Sequence, residues 1–375
     1  MRKLLPGLAA IALAAAGAPH ASAEAAVLHA GSPTAVPGSY IVKLADGVAA
    51  AAVAGRFADR TTRTFPGSFR GFTARLTPRQ ARLLAADPAV EYVEQDQYVH
   101  ANATQPNAPW GLDRIDQRNL PLDTTYGYTT AGRGVTAYVV DTGVRTTHVQ
   151  FGGRAVHGYD AVDNDFTAQD DNGHGTHVAG AIAGSTYGVA KGVRICAVRV
   201  LNGTGSGTIS GVVAGVTWVT DNAVKPAVAN FSLGGSASVA LDDAVRRLIA
   251  SGVTASVTAG GSNTGVANTS PARVVEAVTS GATNQADARA PFSNYGTGVD
   301  LFAPGVGITS AWHTSDTATN TLSGTSVATG FVSGVVARYL ETAPAATPAQ
   351  AHAAVVAQAT PLPWGGRLLH WPPTG

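Results

Sequence analysis

The chain has 375 residues, charged residues make up 13% of it, and its formal net charge is +1 at neutral pH. So small and balanced a charge gives no basic stripe or acidic run, which disfavours a nucleic acid or another charged polymer as partner. The single cysteine, Cys196, excludes an internal disulfide, and its apolar neighbours indicate a buried side chain rather than a reactive thiol.

The first 23 residues are typical of a secretory signal peptide. Arg2 and Lys3 precede an apolar run over residues 4–18, and residues 21–23 supply the small side chains that signal peptidase requires. The run is shorter than the roughly 20 residues that cross a bilayer and is interrupted by proline and glycine, which disfavours a membrane anchor. We therefore predict a secreted, extracellular protein that does not stay in the membrane.

A small module of about 60 residues follows, within residues 39–100. Residues 40–44, 71–76 and 90–95 have the patterns of strands, and an Ala-rich helical run lies between the first two. Thr77 and Gln80 have the spacing of a capping box, with proline at the first helical position. The pattern predicts a ferredoxin-like α+β module, and the Ala, Asn and Pro-rich residues 101–110 indicate a linker after it.

Beyond the linker, apolar strands alternate with helices, as in an α/β fold with a parallel sheet covered by helices on both faces. In such sheets, ligands bind at the carboxyl ends of the strands. The predicted strands cover residues 134–141, 193–201, 227–233 and 253–259, and the predicted helices cover residues 208–223, 239–250 and 325–340.

Three side chains that could form a nucleophilic triad lie at the ends of these elements. Asp141 closes a strand, His174 begins a helix, and Ser326 begins another. A serine nucleophile needs a base to remove its proton, and the base needs a carboxylate to hold its tautomer. Asp141, His174 and His177 could instead bind a metal ion for hydrolysis, although no cysteine or Glu-x-x-His motif accompanies them.

The segments Val140–Gly143, Gly173–Gly180 and Gly324–Ser326, in that order, resemble the subtilisin-like serine proteases, and within them the proteinase K and aqualysin branch. The resemblance implies a secreted endopeptidase that forms an acyl-enzyme. It also implies an N-terminal inhibitor and folding assistant, cut off close to Ala103 by the chain's own serine. The implied divisions are a signal peptide, residues 1–23, a propeptide, residues 24–102, and a catalytic domain, residues 103–375.

The resemblance further implies two backbone edges that clasp an extended substrate, and a pocket with small walls. These edges read main chain, so we expect broad specificity, with an apolar or aromatic preference before the cut. The implied substrate-binding residues are Gly205, Ser206, Gly207, Ser232, Leu233, Gly234, Ala259 and Gly260.

The expected partners are peptide substrates and the chain's own propeptide, and we expect a monomer. Catalysis should need no cofactor. A structural calcium ion could bind the Asp300 carboxylate and the backbone oxygens of Val275 and Ala277.

The chain departs from the family pattern at the expected oxyanion donor and in the helix that carries Ser326, where Val327 stands in place of the usual methionine. Gly261 stands where the family usually has the asparagine that donates to the oxyanion, which leaves the backbone N–H of Ser326 as a donor and Ser262 or Asn263 as possible replacements. Gly330 and Phe331 replace the usual Pro-His, and a glycine inside a helix can loosen it. These departures leave open a second interpretation, a weakened or inactive protein that binds peptides.

Overall fold

The computed structural model describes residues 24–32, 35–98 and 103–373. The chain divides into two compact units, within residues 1–99 and 100–375. The predicted signal peptide, residues 1–23, lies outside the described residues. The boundary predicted at residue 102 stays a prediction.

The first unit is a four-stranded antiparallel sheet with two helices, and its strand order is β2-β3-β1-β4. This is the ferredoxin-like arrangement, which confirms the predicted fold of the small module. Its elements are β1 (Ala35–Leu44), α1 (Ala50–Ala54), a 3₁₀ turn (Gly55–Phe57), β2 (Thr61–Phe65), β3 (Gly71–Arg75), α2 (Pro78–Ala85) and β4 (Val90–Gln97).

The capping box that begins α2 is formed as predicted. The Thr77 hydroxyl accepts the N–H of Gln80 at 3.3 Å, and the Gln80 side chain accepts the N–H of Thr77 at 2.9 Å. Strand β2 was not predicted. It lies at the sheet edge and is largely exposed, so it carries no apolar alternation.

The second unit contains a nine-stranded sheet in the order β18-β19-β15-β14-β12-β10-β7-β9-β8. All its neighbouring strands are parallel except β18 and β19. The elements up to the middle of the unit are β5 (Ala103–Pro106), α3 (Trp110–Ile115), β6 (Thr125–Tyr128), β7 (Thr136–Asp141), a 3₁₀ turn (Val149–Phe151), β8 (Ala155–Asp160), α4 (His174–Ala183), β9 (Arg194–Arg199), α5 (Ile209–Asn222) and β10 (Ala227–Phe231).

The remaining elements complete the sheet and add two short antiparallel pairs, β11 with β13 and β16 with β17. They are β11 (Gly235–Ser236), α6 (Val239–Ala250), β12 (Thr254–Thr258), a 3₁₀ turn (Val266–Asn268), β13 (Thr269–Ser270), β14 (Val278–Thr283), β15 (Leu301–Pro304), β16 (Ile308–Ala311), β17 (Thr319–Leu322), α7 (Thr325–Thr342), α8 (Pro348–Gln358), β18 (Thr360–Pro361) and β19 (Arg367–Leu368). Residues 103–106, within the predicted linker, form β5 and pair with β6.

The sheet separates two apolar cores because successive side chains of a strand point to opposite faces. Val139 packs in the core that contains α4 and α7, and Val140 packs in the core that contains α5 and α6. Both side chains are fully buried. A strand that is buried on both faces shows an uninterrupted apolar run in the sequence. The two cores confirm the predicted parallel sheet with helices on both faces.

Cys196 lies in β9 and is 7% exposed. Burial raises the pKa of its thiol to about 11, so the thiolate needed for reactivity is scarce at neutral pH. Within residues 24–32, 35–98 and 103–373, no helix is long and apolar enough to cross a membrane.

Helix α5 approaches the sheet closely at Gly215. A Cβ at this position would overlap Cγ1 of Val200 and lie 3.2 Å from Cγ1 of Val198. We expect Gly215→Ala to lower the free energy of unfolding by about 1–3 kcal/mol through overpacking, measured by chemical denaturation.

Gly211→Ala is the matched control for Gly215→Ala, because it gains the same helix propensity in the same helix. A Cβ there has the Thr208 hydroxyl as its nearest neighbour, at 3.3 Å. Equal stability of the two variants would contradict the overpacking at Gly215.

Candidate active site

A buried carboxylate and an imidazole meet at the carboxyl edge of the parallel sheet. Asp141 is the last residue of β7 and is fully buried, and His174 is the first residue of α4. His174 Nδ1 donates to Asp141 Oδ1 at 2.7 Å, and the N–H of Thr142 donates to the same oxygen at 2.7 Å. This contact fixes the ring and leaves Nε2 as the nitrogen that can accept a proton.

Asp170 fixes the conformation of the loop that precedes His174, and this role of Asp170 was not predicted from the sequence. Its carboxylate accepts the hydroxyl of Thr142 at 2.8 Å, the N–H of Gly173 at 2.8 Å and the N–H of Thr176 at 2.9 Å. The side chain is 3% exposed. An Asp four residues before the helical His174 is a signal that could have indicated this role, because Asp commonly accepts the free N–H groups of a helix start.

The pKa of His174 is set by opposing effects. Burial lowers it, but the charge and hydrogen bond of Asp141 and the charge of Asp170 outweigh burial, and the pKa is raised above its usual value of 6.5. The imidazolium formed when the ring takes a proton is therefore stabilised in place.

Ser326 is the second residue of α7 and is half-buried. Its hydroxyl donates to the carbonyl oxygen of Ser232 at 3.1 Å, and the Ser232 hydroxyl donates to the carbonyl oxygen of Ser326 at 2.7 Å. Asn230 donates to the Ser232 hydroxyl at 2.9 Å and accepts from Ser333 at 2.8 Å. This network fixes the first turn of α7, and its members Asn230 and Ser333 were not predicted.

One open cavity of about 1250 Å³ contains both reactive side chains. Ser326 and His174 both line this cavity, so the Ser326 hydroxyl can rotate about the Cα–Cβ bond without leaving it. All the substrate-binding residues predicted from the sequence line the same cavity: Gly205, Ser206, Gly207, Ser232, Leu233, Gly234, Ala259 and Gly260.

Two predicted candidates are not brought to this cavity. Asn263 accepts from Nη1 of Arg289 at 2.9 Å and lines a different cavity. His177 is fully buried, and its Nε2 donates to the carbonyl oxygens of Ile308 and Asn320 at 3.1 and 3.2 Å. The structure therefore favours neither Asn263 as an oxyanion donor nor a metal centre shared by His174 and His177.

Gly330 and Phe331 lie inside an unbroken α7. A Cβ on Gly330 would stand 3.2 Å from Cβ of Ala181 and 3.3 Å from the carbonyl oxygen of Val178, where α7 crosses α4. The glycine therefore allows a close helix contact, and the 2% exposed Phe331 fills the adjoining core.

The candidate calcium ligands are arranged around a histidine. His352 Nε2 lies 3.3 Å from Oδ1 of Asp300, and Oδ2 of Asp300 accepts the N–H of Thr279 at 2.8 Å. The hydrogen bond to Asp300 raises the pKa of His352, because the carboxylate favours the protonated form of the ring. Ala277 is fully buried and Val275 is 75% exposed. As arranged, these residues do not fit a calcium ion, which takes six to eight oxygen ligands.

Comparison with known proteins decides the family. A model of the subtilase family matches residues 132–369, more than half of the chain. The chain is a subtilase. A second model, described as peptidase inhibitor I9, matches residues 53–102 of this subtilase.

The relatives are serine proteinases. The chain is 49% identical over 384 residues to the extracellular serine proteinase of Thermus sp. (strain Rt41A), covering 96% of this chain and 94% of the relative. It is 54% identical over 314 residues to alkaline serine exoprotease A of Vibrio alginolyticus, covering 82% of this chain and 58% of that protein. Proteinase R of Parengyodontium album is 43% identical over 323 residues, with 83% of this chain and 81% of that protein covered.

A solved structure agrees with this assignment. The crystal structure of a cold adapted subtilisin-like serine proteinase has a TM-score of 0.68 and 55% identity, covering 70% of this chain and 98% of that one. These findings confirm the predicted subtilase fold with an inhibitor-type N-terminal module, and the prediction of a serine proteinase. They give no support to the alternative of an inactive peptide-binding protein.

The Asp141–His174 contact leads to a prediction for this subtilase. With His174 as the candidate base, kcat/KM should fall as the pH drops through a pKa above 6.5, because only the neutral ring can accept a proton. Asp141→Asn should lower kcat about 10⁴-fold, since the amide selects the wrong tautomer. It should also move the acid limb to lower pH, because the charge that raises the pKa is lost.

Asp243→Asn is the control for Asp141→Asn. It makes the same change in an exposed pair with Arg246 on α6. A pH profile that is the same for Asp141→Asn and the parent would contradict the assignment of the acid limb to His174.

Proposed function

We propose that this subtilase hydrolyses peptide bonds with Ser326 as nucleophile, His174 as general base and acid, and Asp141 as the group that orients His174. The observation that carries the proposal is the 2.7 Å Asp141–His174 hydrogen bond at the edge of a cavity that Ser326 also lines. The Ser326 hydroxyl first turns from the Ser232 carbonyl towards Nε2 of His174.

The reaction has two halves. Ser326 Oγ bonds to the carbonyl carbon while His174 takes the hydroxyl proton, and the C–N bond then breaks as His174 gives that proton to the leaving amine. A water molecule then attacks the acyl carbon while His174 takes its proton, and the acyl–oxygen bond breaks as His174 gives that proton to Ser326 Oγ. The backbone N–H of Ser326, in the first turn of α7, donates to the oxyanion in both halves.

The shape of the cavity supports an extended peptide as substrate. Residues 205–207 and residues 232–234 supply its main-chain edges, and glycine lets another backbone approach closely. Ala259, Gly260 and Ala272 give the cavity small, mostly apolar walls. We therefore propose broad specificity, with an apolar or aromatic side chain preferred before the cut.

We also propose that the chain is exported, matures itself and acts as a monomer. The inhibitor-like match over residues 53–102 supports an intramolecular inhibitor. The name of the Thermus relative, an extracellular proteinase, supports secretion. The proposed cut lies close to Ala103, between the module and the catalytic domain.

Self-processing gives the direct test of this function. Residues 24–375 of the parent should release an N-terminal fragment, and Ser326→Ala should leave the chain intact, because the nucleophile is lost. Mass spectrometry of both proteins after purification measures the cut. A parent that stays as unprocessed as Ser326→Ala would contradict the proposal and favour the peptide-binding alternative.

Subtilases need no cofactor for catalysis. A calcium ion would instead act on the stability of the fold. We propose that His352, which lies 3.3 Å from the Asp300 carboxylate, keeps calcium from this site by competing for the carboxylate. His352→Ala should therefore enlarge the rise in melting temperature that calcium produces over a chelator, because binding stabilises the folded state.

The control for this test is the double variant His352→Ala and Asp300→Ala. It lacks the carboxylate, so the enlarged calcium effect should disappear. The same calcium effect in the parent and both variants, measured by thermal denaturation, would refute a competition at Asp300.

A further inference from the structure

The loop that follows β12 forms one side of the cavity that contains Ser326. Residues 259–262 line this cavity. Residues 261–264 are all exposed, so they bury little apolar surface, and apolar packing contributes little to holding them in place. The conformation of the wall loop, residues 259–264, therefore depends on hydrogen bonds.

Asn294 lies beside the wall loop and is 1% exposed. Its N–H donates to the carbonyl oxygen of Gly260 at 2.9 Å. Its side-chain Oδ1 accepts the N–H groups of Ser262 and Thr264, each at 3.0 Å. Its Nδ2 donates to the carbonyl oxygen of Ala259 at 2.8 Å. A single buried residue thus binds main-chain groups along the whole wall loop, and both polar atoms of its amide are used.

Gly260 leaves room for this amide. A Cβ at this position would lie 2.6 Å from Nδ2 of Asn294, which is closer than two such atoms can approach. The φ of Gly260 is +98°, a conformation that favours glycine. The backbone of the wall loop therefore lets the side chain of Asn294 reach the carbonyl oxygen of Ala259.

Asn294 is itself anchored to the large sheet. The hydroxyl of Ser293 donates to the carbonyl oxygen of Asn294 at 3.0 Å and accepts the N–H of Ala282, in β14, at 3.0 Å. Ser293 and Ala282 are fully buried. A site that is supported by a strand keeps a more precise geometry than a site built on a loop alone. Asn294 thus transfers the rigidity of β14 to the exposed wall loop.

We propose that Asn294 is a positioning residue that sets the selectivity of this subtilase for the side chain before the cut. This inference rests on the proposed function, in which that side chain contacts the small residues of the cavity. A phenylalanine side chain is long enough to reach the wall loop, whereas an alanine side chain is not. Asn294 acts through the wall loop, which it holds as a fixed surface for the aromatic ring.

The test compares two peptides that differ only in the residue before the cut, phenylalanine or alanine, on the matured chain of residues 24–375. Asn294→Ala leaves three main-chain groups of the wall loop without their partner, so the loop should loosen. The ratio of kcat/KM for the phenylalanine peptide to that for the alanine peptide should fall about 10-fold or more. The alanine peptide should keep kcat/KM within about 3-fold of the parent, since it does not reach the loop.

Asn294→Asp is the second variant, because it keeps the shape of the side chain. Its oxygen still accepts from Ser262 and Thr264, and only the amide donor to Ala259 is replaced. The ratio for Asn294→Asp should therefore lie between those of the parent and Asn294→Ala. If Asn294→Ala does not fold, the ratio for Asn294→Asp decides alone.

Asn284→Ala is the matched control. Asn284 follows β14, and its Oδ1 likewise accepts two main-chain N–H groups of a loop, those of Ala286 and Ala288 at 3.0 and 3.1 Å. These residues are not part of the lining of the cavity that contains Ser326. Asn284→Ala should lower stability and leave the ratio unchanged.

The ratio is a readout that a purely structural role would not move. Both peptides are measured on the same preparation, so the fraction of active molecules cancels. Variants that do not process themselves are matured by the tagged parent enzyme, which is then removed. An unchanged ratio in both Asn294 variants, or an equal loss of kcat/KM for both peptides, would overturn the proposal. An inactive parent would refute the proposed function instead, which separates the two failures.

Discussion

The charge of Asp141 is the constraint on which the active site depends. A carboxylate that is fully buried costs several kcal/mol unless it is hydrogen-bonded and paired. Oδ1 receives the His174 ring and the N–H of Thr142, and Oδ2 has no partner among the described residues. His174 is therefore the main compensation for this charge. The contact that selects the tautomer of His174 also stabilises the buried carboxylate at the end of β7.

The segment between β8 and α4 connects the end of β7 with the start of α4. Asp170 binds the Thr142 hydroxyl on one side and the start of α4 on the other. Thr142 in turn accepts the N–H of Gly175 at 2.9 Å. The absence of a side chain at Gly175 matters, because a Cβ there would overlap the carbonyl oxygen of Gly143. Strand end, loop and helix start thus form one rigid unit around the acid and the base.

The sequence predicted four of the nine strands of the large sheet, because β7, β9, β10 and β12 are buried on both faces. Such strands leave long apolar runs, and residues 227–231 and 254–258 lie within the runs that were predicted. The strands β15, β18 and β19 are too short to show such a run, β14 is interrupted by Thr279, Ser280 and Gly281, and β2 and β8 are partly exposed. None of these strands was predicted. The segments of the candidate triad could be predicted from the sequence because glycines and polar residues follow apolar strands there.

The polar contacts that support the candidate site could not be predicted from the sequence. Asp170 binds Thr142, which is 28 residues away, and Asn230 binds Ser333, which is 103 residues away. Ser232 and Ser326, which bind each other, are 94 residues apart. Partners this distant are brought together only by folding. The turn of Asn263 towards Arg289 likewise depends on residues 26 positions apart. Chemistry near a strand end can be inferred from sequence, whereas the direction of each hydrogen bond cannot.

The strand β5 has a consequence for the mature protein. Its residues pair with β6 from Ala103↔Tyr128 to Pro106↔Thr125, and the side chain of Gln105 donates to the carbonyl oxygen of Thr186 at 3.0 Å. A cut close to Ala103 would leave the new amino terminus inside a hydrogen-bonded ladder rather than on a frayed tail. Aminopeptidases bind an unpaired amino terminus, so a terminus within this ladder should resist digestion by them.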